Sequence, residues 1–181
     1  MIQTKNELKE IIAKDRTRYE IRKPRFLGWL FGDETYSIVS YLKTLRYLEY
    51  YSQHRCSISG FVMHCFYFLK HRRQRVKTGG YINVNTCGGG IYIPHCAGGV
   101  YVNCVRAGEN LTISSGCVLG VKGSEPGPIL GDNVEVAIGS KIIGNVKIGN
   151  NVIVAPNSVV ITDIPDNAIV SGVPAKIIKI R

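Results

Sequence analysis

Residues 130–160 read LGDNVEVAIGSKIIGNVKIGNNVIVAPNSVV, and every sixth residue of this stretch is aliphatic. This first series comprises Leu130, Val136, Ile142, Ile148, Val154 and Val160. A second series, four positions later in each repeat, is small or aliphatic and comprises Val134, Ser140, Val146, Val152, Ser158 and Ile164. A helix has a period of about 3.6 and a strand a period of about two. A period of six instead predicts a parallel β-helix, whose short strands bury one face within stacked coils.

A weaker series with the same spacing lies upstream. It comprises Cys87, Ile93, Gly99, Val105, Leu111 and Cys117. The strong series restarts at Leu130, one residue out of phase, so residues must be inserted between the two series. Segment 121–128, VKGSEPGP, is rich in turn-forming residues and predicts a loop ejected from the coil. Loops on rigid scaffolds often carry function, so we expect this one to border an active site.

Bulk composition favours one globular protein with a sizeable core, because 45% of the 181 residues are hydrophobic and 20% are charged. No apolar run reaches the roughly 18 residues that span a bilayer, and the N-terminus lacks a signal-peptide core, which predicts a cytoplasmic protein. The six cysteines form no CxxC pair. We therefore expect reduced thiols and no metal site, with Cys87 and Cys117 as small core residues.

Positive charge is concentrated in the first half of the chain. Residues 1–80 contain 16 Lys and Arg against 7 Asp and Glu, whereas residues 81–181 contain 7 against 6. No nucleic-acid-binding motif accompanies this charge, so we expect no nucleic-acid partner. A basic surface suits anionic substrates, CoA phosphates or anionic lipid, and a merely solvated face is the alternative. The basic run from Lys70 to Lys77 would suit peripheral membrane contact and a lipid-linked acceptor.

Three helices are predicted before the repeats. The first covers residues 3–20. A second helix, capped by Asp33 or Thr35, would bury a face made of Ile38, Tyr41, Leu42, Leu45, Leu48 and Tyr51. A third runs from about Ser57 to Val76, before the glycine pair at 79–80. The domain prediction is a helical region over 1–79 and a β-helix over 80–181, ending in a cap after Asp163.

Three short stretches resemble hexapeptide-repeat acyltransferases: ILGDNV at 129–134, IGNVKIG at 143–149 and SGVPAK at 171–176. Within that superfamily they look most like the serine acetyltransferase-like branch, which includes serine O-acetyltransferases and O-acetyltransferases of capsular and exopolysaccharide clusters. The resemblance implies a mainly β fold, a left-handed parallel β-helix of three-hexapeptide coils behind an N-terminal helical region. It also implies a homotrimer that uses acetyl-CoA.

The segment IPHCAGG at 93–99 matches the part of that branch that carries its catalytic histidine, which places the role on His95. A neutral imidazole can take the proton of an acceptor hydroxyl as the hydroxyl attacks the thioester. Backbone N–H groups in the β-helix turns would then stabilise the oxyanion. The alternatives are a packed, non-catalytic histidine and nucleophilic catalysis by Cys96.

The resemblance also implies CoA-binding positions in the groove between adjacent subunits. By position these are Gly120, Ile138, Gly139, Pro156, Lys176 and Lys179. The two lysines would meet phosphate charge, and ordinary exposed cations are the alternative for them.

Four departures from the serine acetyltransferase pattern affect the acceptor side. Gly80, Pro94 and Asn103 stand where acidic residues are usual, and EPGP at 125–128 replaces a segment with a second histidine. Asn103 and Asp33 are the predicted acceptor-side residues, Asp33 as a carboxylate that would orient His95. We therefore predict an acetyl-CoA-dependent O-acetyltransferase acting on a polysaccharide-precursor sugar. Serine O-acetyltransferase is the alternative enzyme, and a non-catalytic trimeric scaffold is the alternative of another class.

Overall fold

The computed structural model describes residues 2–19, 33–95 and 97–181. The described N-terminal region holds helices α1 (Lys5–Thr17), α2 (Glu34–Gln53) and α3 (Ile58–Thr78). Each begins at a capping side chain that accepts a first-turn N–H: Thr4, Asp33 and Ser57. Gly79, with φ of 65°, follows α3 in the left-handed conformation that ends many helices. All three predicted helices are confirmed. None of the helices in these described ranges is long and apolar enough to cross a bilayer.

Thirteen short strands follow in the described chain. They are β1 Gly80–Ile82, β2 Val100–Val102, β3 Arg106–Ala107, β4 Thr112–Ile113, β5 Cys117–Gly120, β6 Ile129–Leu130, β7 Glu135–Val136, β8 Lys141–Ile143, β9 Lys147–Ile148, β10 Ile153–Val154, β11 Val159–Val160, β12 Ala168–Gly172 and β13 Ala175–Ile180.

The strands form the three walls of a parallel β-helix. One wall has the order β1-β2-β5-β8-β11, a second β3-β6-β9, and a third β4-β7-β10-β12 with β13 added antiparallel. In the regular part, strand partners are 18 positions apart, as between Ile129 and Lys147. This matches the predicted coil of three hexapeptides. The β12–β13 hairpin provides the predicted C-terminal cap over the last coil.

Both series of the strong repeat face the core, as predicted. The first series is 0–3% exposed and the second 0–5%. Cys87 and Cys117 of the upstream series are buried as well. Val105 is 51% exposed, so the six-residue period does not mark a core position at this residue. The physical reason is coil length: Gly80 pairs with Val100, 20 positions on, and a six-residue period cannot persist through such a coil.

The predicted insertion is present between β5 and β6. Val118 pairs with Lys141, 23 positions later, whereas partners in the next coil are 18 positions apart. Five additional residues are therefore accommodated there, and residues 121–126 are exposed. The carbonyl of Pro128 accepts a hydrogen bond from Val105 N–H at 3.0 Å, which places the end of this loop beside the upstream coil.

A buried ion cluster joins the helices to the β-helix. Arg46 of α2 is 0% exposed and contacts Asp15 of α1 through Nε to Oδ2 at 2.8 Å. Its Nη1 donates to Glu49 Oε2 at 3.0 Å, and its guanidinium also donates to the carbonyls of Cys87 and Gly88. The hydrophobic core is likewise continuous across the predicted boundary at 79/80, because side chains of α2 pack with those of the coils.

Candidate active site

His95 lies in an enlarged turn between two walls of the β-helix. Tyr92 bridges to Thr112, and Val100 pairs with Cys117. Val100 thus follows Tyr92 by eight positions, whereas in the next coil Cys117 follows Thr112 by only five. The enlarged turn places His95 outside the regular stack, where its side chain is 75% exposed.

The backbone around His95 is fixed by two hydroxyl groups. Tyr19 OH accepts a hydrogen bond from Ile93 N–H at 2.8 Å, and burial raises the pKa of this tyrosine. Ser115 Oγ of the next coil donates to the His95 carbonyl at 2.8 Å. These contacts hold the backbone of a turn whose imidazole is open to solvent, an arrangement that suits binding or catalysis.

Glu34, the first residue of α2, supplies a carboxylate to the imidazole. Its Oε2 lies 3.3 Å from His95 Nδ1. A carboxylate on Nδ1 favours the tautomer that carries its proton there, which leaves Nε2 as an acceptor facing solvent. The sequence prediction placed this role on Asp33, but Asp33 caps α2 by accepting from Tyr36 N–H at 3.3 Å. Nothing in the sequence showed that residues 61 positions apart would meet.

The turn stacks on equivalent turns of the following coils. A Cβ built on Gly98 would lie 3.9 Å from Gly116 N, and one built on Gly116 would lie 3.7 Å from Gly139 Cα. Gly139 in turn lies against Asn157. We call this stack the glycine column: Gly98, Gly116, Gly139 and Asn157. It brings three predicted CoA positions, Ile138, Gly139 and Pro156, to the same corner of the β-helix as His95.

The column offers an apolar surface bordered by a cation. Ile138 is 56% exposed and Pro156 is also exposed, so both can contact a ligand lying along the column. Lys141, which sequence reasoning missed, places Nζ 3.1 Å from the Gly139 carbonyl. The N–H groups of Gly116 and Gly139 donate to Gly99 and Ser115 carbonyls. These two amides are therefore engaged, contrary to the expectation that turn N–H groups would stand free for an oxyanion.

The remaining predicted residues lie elsewhere on the chain. Gly120 ends β5, at the opposite edge of its wall from the glycine column, and its carbonyl accepts from Gly144 N–H. Lys176 and Lys179 are exposed on β13. Asn103 accepts a hydrogen bond from Asn83 Nδ2 at 2.6 Å. Cys96, the alternative nucleophile, falls outside the described residues.

The structure thus places an exposed histidine and a carboxylate at the side of a stack of hexapeptide coils. Residues 127–162 match the family described as "Bacterial transferase hexapeptide (six repeats)". This match covers the strongest part of the repeat.

Curated proteins that resemble part of this chain are named serine acetyltransferases. A protein of that name from Staphylococcus epidermidis is 48% identical over 75 residues, which is 40% of this chain and 35% of the relative. A Staphylococcus aureus protein of the same name is 45% identical over a segment of the same length. The matched segment therefore spans about a third of these relatives.

Solved structures resemble nearly the whole chain. Serine acetyltransferase from Neisseria gonorrhoeae superposes with a TM-score of 0.70 at 24% identity, covering 96% of this chain and 66% of the other. A serine acetyltransferase in complex with CoA gives a TM-score of 0.69 at 25% identity, covering 96% and 71%. The predicted fold, a left-handed parallel β-helix with an N-terminal helical region, is confirmed. Closeness to capsular or exopolysaccharide enzymes stays a prediction.

Proposed function

We propose that this protein is an acetyl-CoA-dependent O-acetyltransferase in which His95 acts as general base. The observation that carries the proposal is the Glu34–His95 contact at the head of the glycine column. In this proposal Nε2 takes the acceptor's hydroxyl proton as the oxygen attacks the acetyl carbonyl. The same proton then passes to the departing thiolate, so the acetyl group moves directly from sulfur to oxygen.

Acetyl-CoA fits the residues along the glycine column. Exposed Ile138 and Pro156 would contact the pantetheine arm, and Lys141 lies close enough to Gly139 to attract a phosphate. The structure of a related enzyme in complex with CoA supports this co-substrate. Gly120 and the loop at 121–128 lie at another corner of the same subunit. Their participation would require a neighbouring copy, which is why we propose a homotrimer with its sites between subunits.

L-Serine is the acceptor that the comparisons support, because the curated relatives and the solved structures are serine acetyltransferases. A specific observation keeps a sugar hydroxyl as the second candidate. The ammonium group of serine needs carboxylates, yet Gly80 and Pro94 stand at two positions where the resemblance expects them. A Cβ at Gly80 would lie 3.3 Å from the Tyr41 ring, so this buried position admits no acidic side chain without rearrangement.

A cytoplasmic location of the protein also remains a prediction.

Thiol release from acetyl-CoA tests the proposal with L-serine and nucleotide sugars as separate acceptors. We expect His95→Ala to lower kcat by about 10²- to 10⁴-fold with whichever acceptor is used. The matched control is His54→Ala, because His54 caps the C-terminal end of α2 whereas Glu34 lies at its N-terminal end. Full turnover by His95→Ala would exclude the general-base role. Turnover of L-serine alone would exclude the sugar, whereas turnover of a nucleotide sugar alone would exclude serine.

A further inference from the structure

Helix α3 exposes an apolar face to solvent. Its large side chains that are at least 45% exposed are Ile58, Phe61, Val62, Phe66, Phe68, Leu69 and Val76. Isolated apolar residues are common on protein surfaces, but a contiguous helical patch of this kind marks a binding surface. We call these seven residues the outer face of α3.

The inner side of the same helix is largely polar, although Tyr67 stacks on Tyr47 of α2 with ring centroids 4.7 Å apart. Gly60, His71 and Thr78 are its buried residues, and Gln74 donates to Ser40 of α2 at 2.9 Å. Buried nitrogen or oxygen atoms of His64, His71 and Gln74 have no hydrogen-bond partner within the described structure. These polar contacts to α2 do not account for the apolar residues on the opposite side, because a surface helix ordinarily turns its apolar face inward.

Cations follow the apolar residues along the helix. Lys70, Arg72, Arg73 and Lys77 are exposed, while Arg75 stacks over the Tyr81 ring at 3.8 Å. The sequence of α3 contains no Asp or Glu. The outer face is thus both apolar and positively charged, with no acidic residue on its own helix to balance it.

We propose that the outer face of α3 docks this protein on an anionic lipid surface, with the helix lying in the plane of the membrane interface. Apolar side chains would enter the boundary of the acyl chains while the cations meet lipid phosphates. Charge complementarity favours lipid over a second copy of the same face, because two copies would bring two unbalanced basic surfaces together. The docking does not depend on acetyl transfer.

Co-sedimentation of the full chain with vesicles tests this docking. We expect binding to phosphatidylcholine vesicles that contain phosphatidylglycerol and much weaker binding to phosphatidylcholine alone. Replacing Arg72 and Arg73 with Gln should weaken binding by about 25-fold, at about five-fold for each cation. The matched control is Lys5→Gln with Lys9→Gln on α1, which should leave binding unchanged.

The apolar contribution is tested by Val62→Ser with Leu69→Ser, against Val105→Ser on the β-helix as control. We expect the α3 pair to lose vesicle binding and the control to retain it. Absence of anionic-lipid binding by the unaltered chain would overturn the proposal, as would full binding by the α3 pair. Light scattering provides a further outcome. Loss of an oligomer in the α3 pair, with no lipid binding by either protein, would identify a protein interface instead.

The same variants distinguish failure of the membrane-docking proposal from failure of the proposed acetyltransferase activity. The α3 pair should transfer acetyl to a soluble acceptor at the rate of the unaltered chain, since neither residue lies at the His95 turn. Loss of vesicle binding with full turnover is therefore the expected result.

Discussion

At the scale of single residues, Glu34 and His95 form the contact on which the proposed chemistry depends. Glu34 is the first residue of α2, and the residue before it caps that helix by accepting a first-turn N–H. Asp33 performs that capping and Glu34 reaches the imidazole. Two neighbouring carboxylates thus have separate roles that substitution can distinguish.

Glu34→Gln should lower kcat by at least about 10-fold, with the KM for acetyl-CoA unchanged, because the amide no longer fixes the Nδ1 proton. Steady-state kinetics at varied acetyl-CoA measures both constants. The matched control is Asp33→Asn, which retains an oxygen for capping and should leave kcat unchanged. The opposite pattern, with Asp33→Asn impaired and Glu34→Gln active, would return the orienting role to Asp33.

At the scale of elements, an asparagine in the left-handed backbone conformation recurs at one corner of successive coils. Asn110, Asn133, Asn151 and Asn167 have φ of 55–60°. Their side chains form a ladder in which each Nδ2 donates to the next Oδ1, at 2.9–3.1 Å. Asparagine tolerates this backbone better than other residues with a Cβ, and the stacking of the coils supplies the amide partner.

Asn151→Ala should lower the free energy of unfolding by about 1–3 kcal/mol, because it removes two ladder hydrogen bonds and strains the backbone. Asn151→Gly should cost less, since glycine adopts positive φ freely. Asn145→Ala, at an exposed position without positive φ, should stay within about 0.5 kcal/mol. Chemical denaturation followed by circular dichroism ranks the three. If Asn145→Ala lowered the free energy of unfolding as much as Asn151→Ala, the asparagine ladder would make no specific contribution to stability.

Helix α3 provides a second test at this scale through His71. Burial and nearby Arg75 lower the pKa of His71 to about 4, and its ring stacks on Tyr41 with centroids 5.1 Å apart. The unfolded chain binds the same proton near its ordinary pKa of about 6.5. As the pH falls from about 6.5 towards 4, the unfolded state is protonated first and the folded state loses stability.

His71→Phe keeps a ring against Tyr41 but cannot titrate. Between pH 7.5 and 5, the unaltered chain should therefore lose on the order of 1–2 kcal/mol more stability than His71→Phe. Denaturation curves at the two pH values measure this difference. Parallel pH dependence in both proteins would mean that His71 is not the group responsible.

At the scale of the whole molecule, a buried ion cluster and an exposed ion pair connect the helices to the β-helix in contrasting environments. Arg46 is fully buried among Asp15, Glu49 and two carbonyls. Lys14 Nζ lies 2.7 Å from Glu109 Oε1, but both side chains are about half exposed. Burial rather than distance determines what each pair contributes.

Arg46→Met should cost about 3–5 kcal/mol, because it leaves two carboxylates buried without their cation. Lys14→Met should cost much less than Arg46→Met, because water already screens that pair. Thermal unfolding midpoints of both variants check the contrast. Similar midpoints would show that Arg46 is not essential for joining the helices to the coils.

The repeat region was predictable in detail because its period is local. Each buried position faces the same axis as its partner 18 residues away, so composition at six-residue spacing is enough to infer coils, core and cap. The helix cap at Asp33, predicted with Thr35 as the alternative, was likewise a local signal. Upstream, where coils lengthen to 20 residues, the period failed at Val105 because burial there depends on how the longer coil is accommodated.

By itself, the sequence determined the β-helix, the insertion before β6 and the three helices, and its resemblance to a known family implied His95 as the candidate base. Only the tertiary structure decided that Glu34 meets His95, that the glycine column aligns Ile138 and Pro156 beneath it, and that α3 turns its apolar side outward. The physical reason is range. Periodicity and capping act between near neighbours, whereas these three features depend on packing between segments far apart in the chain.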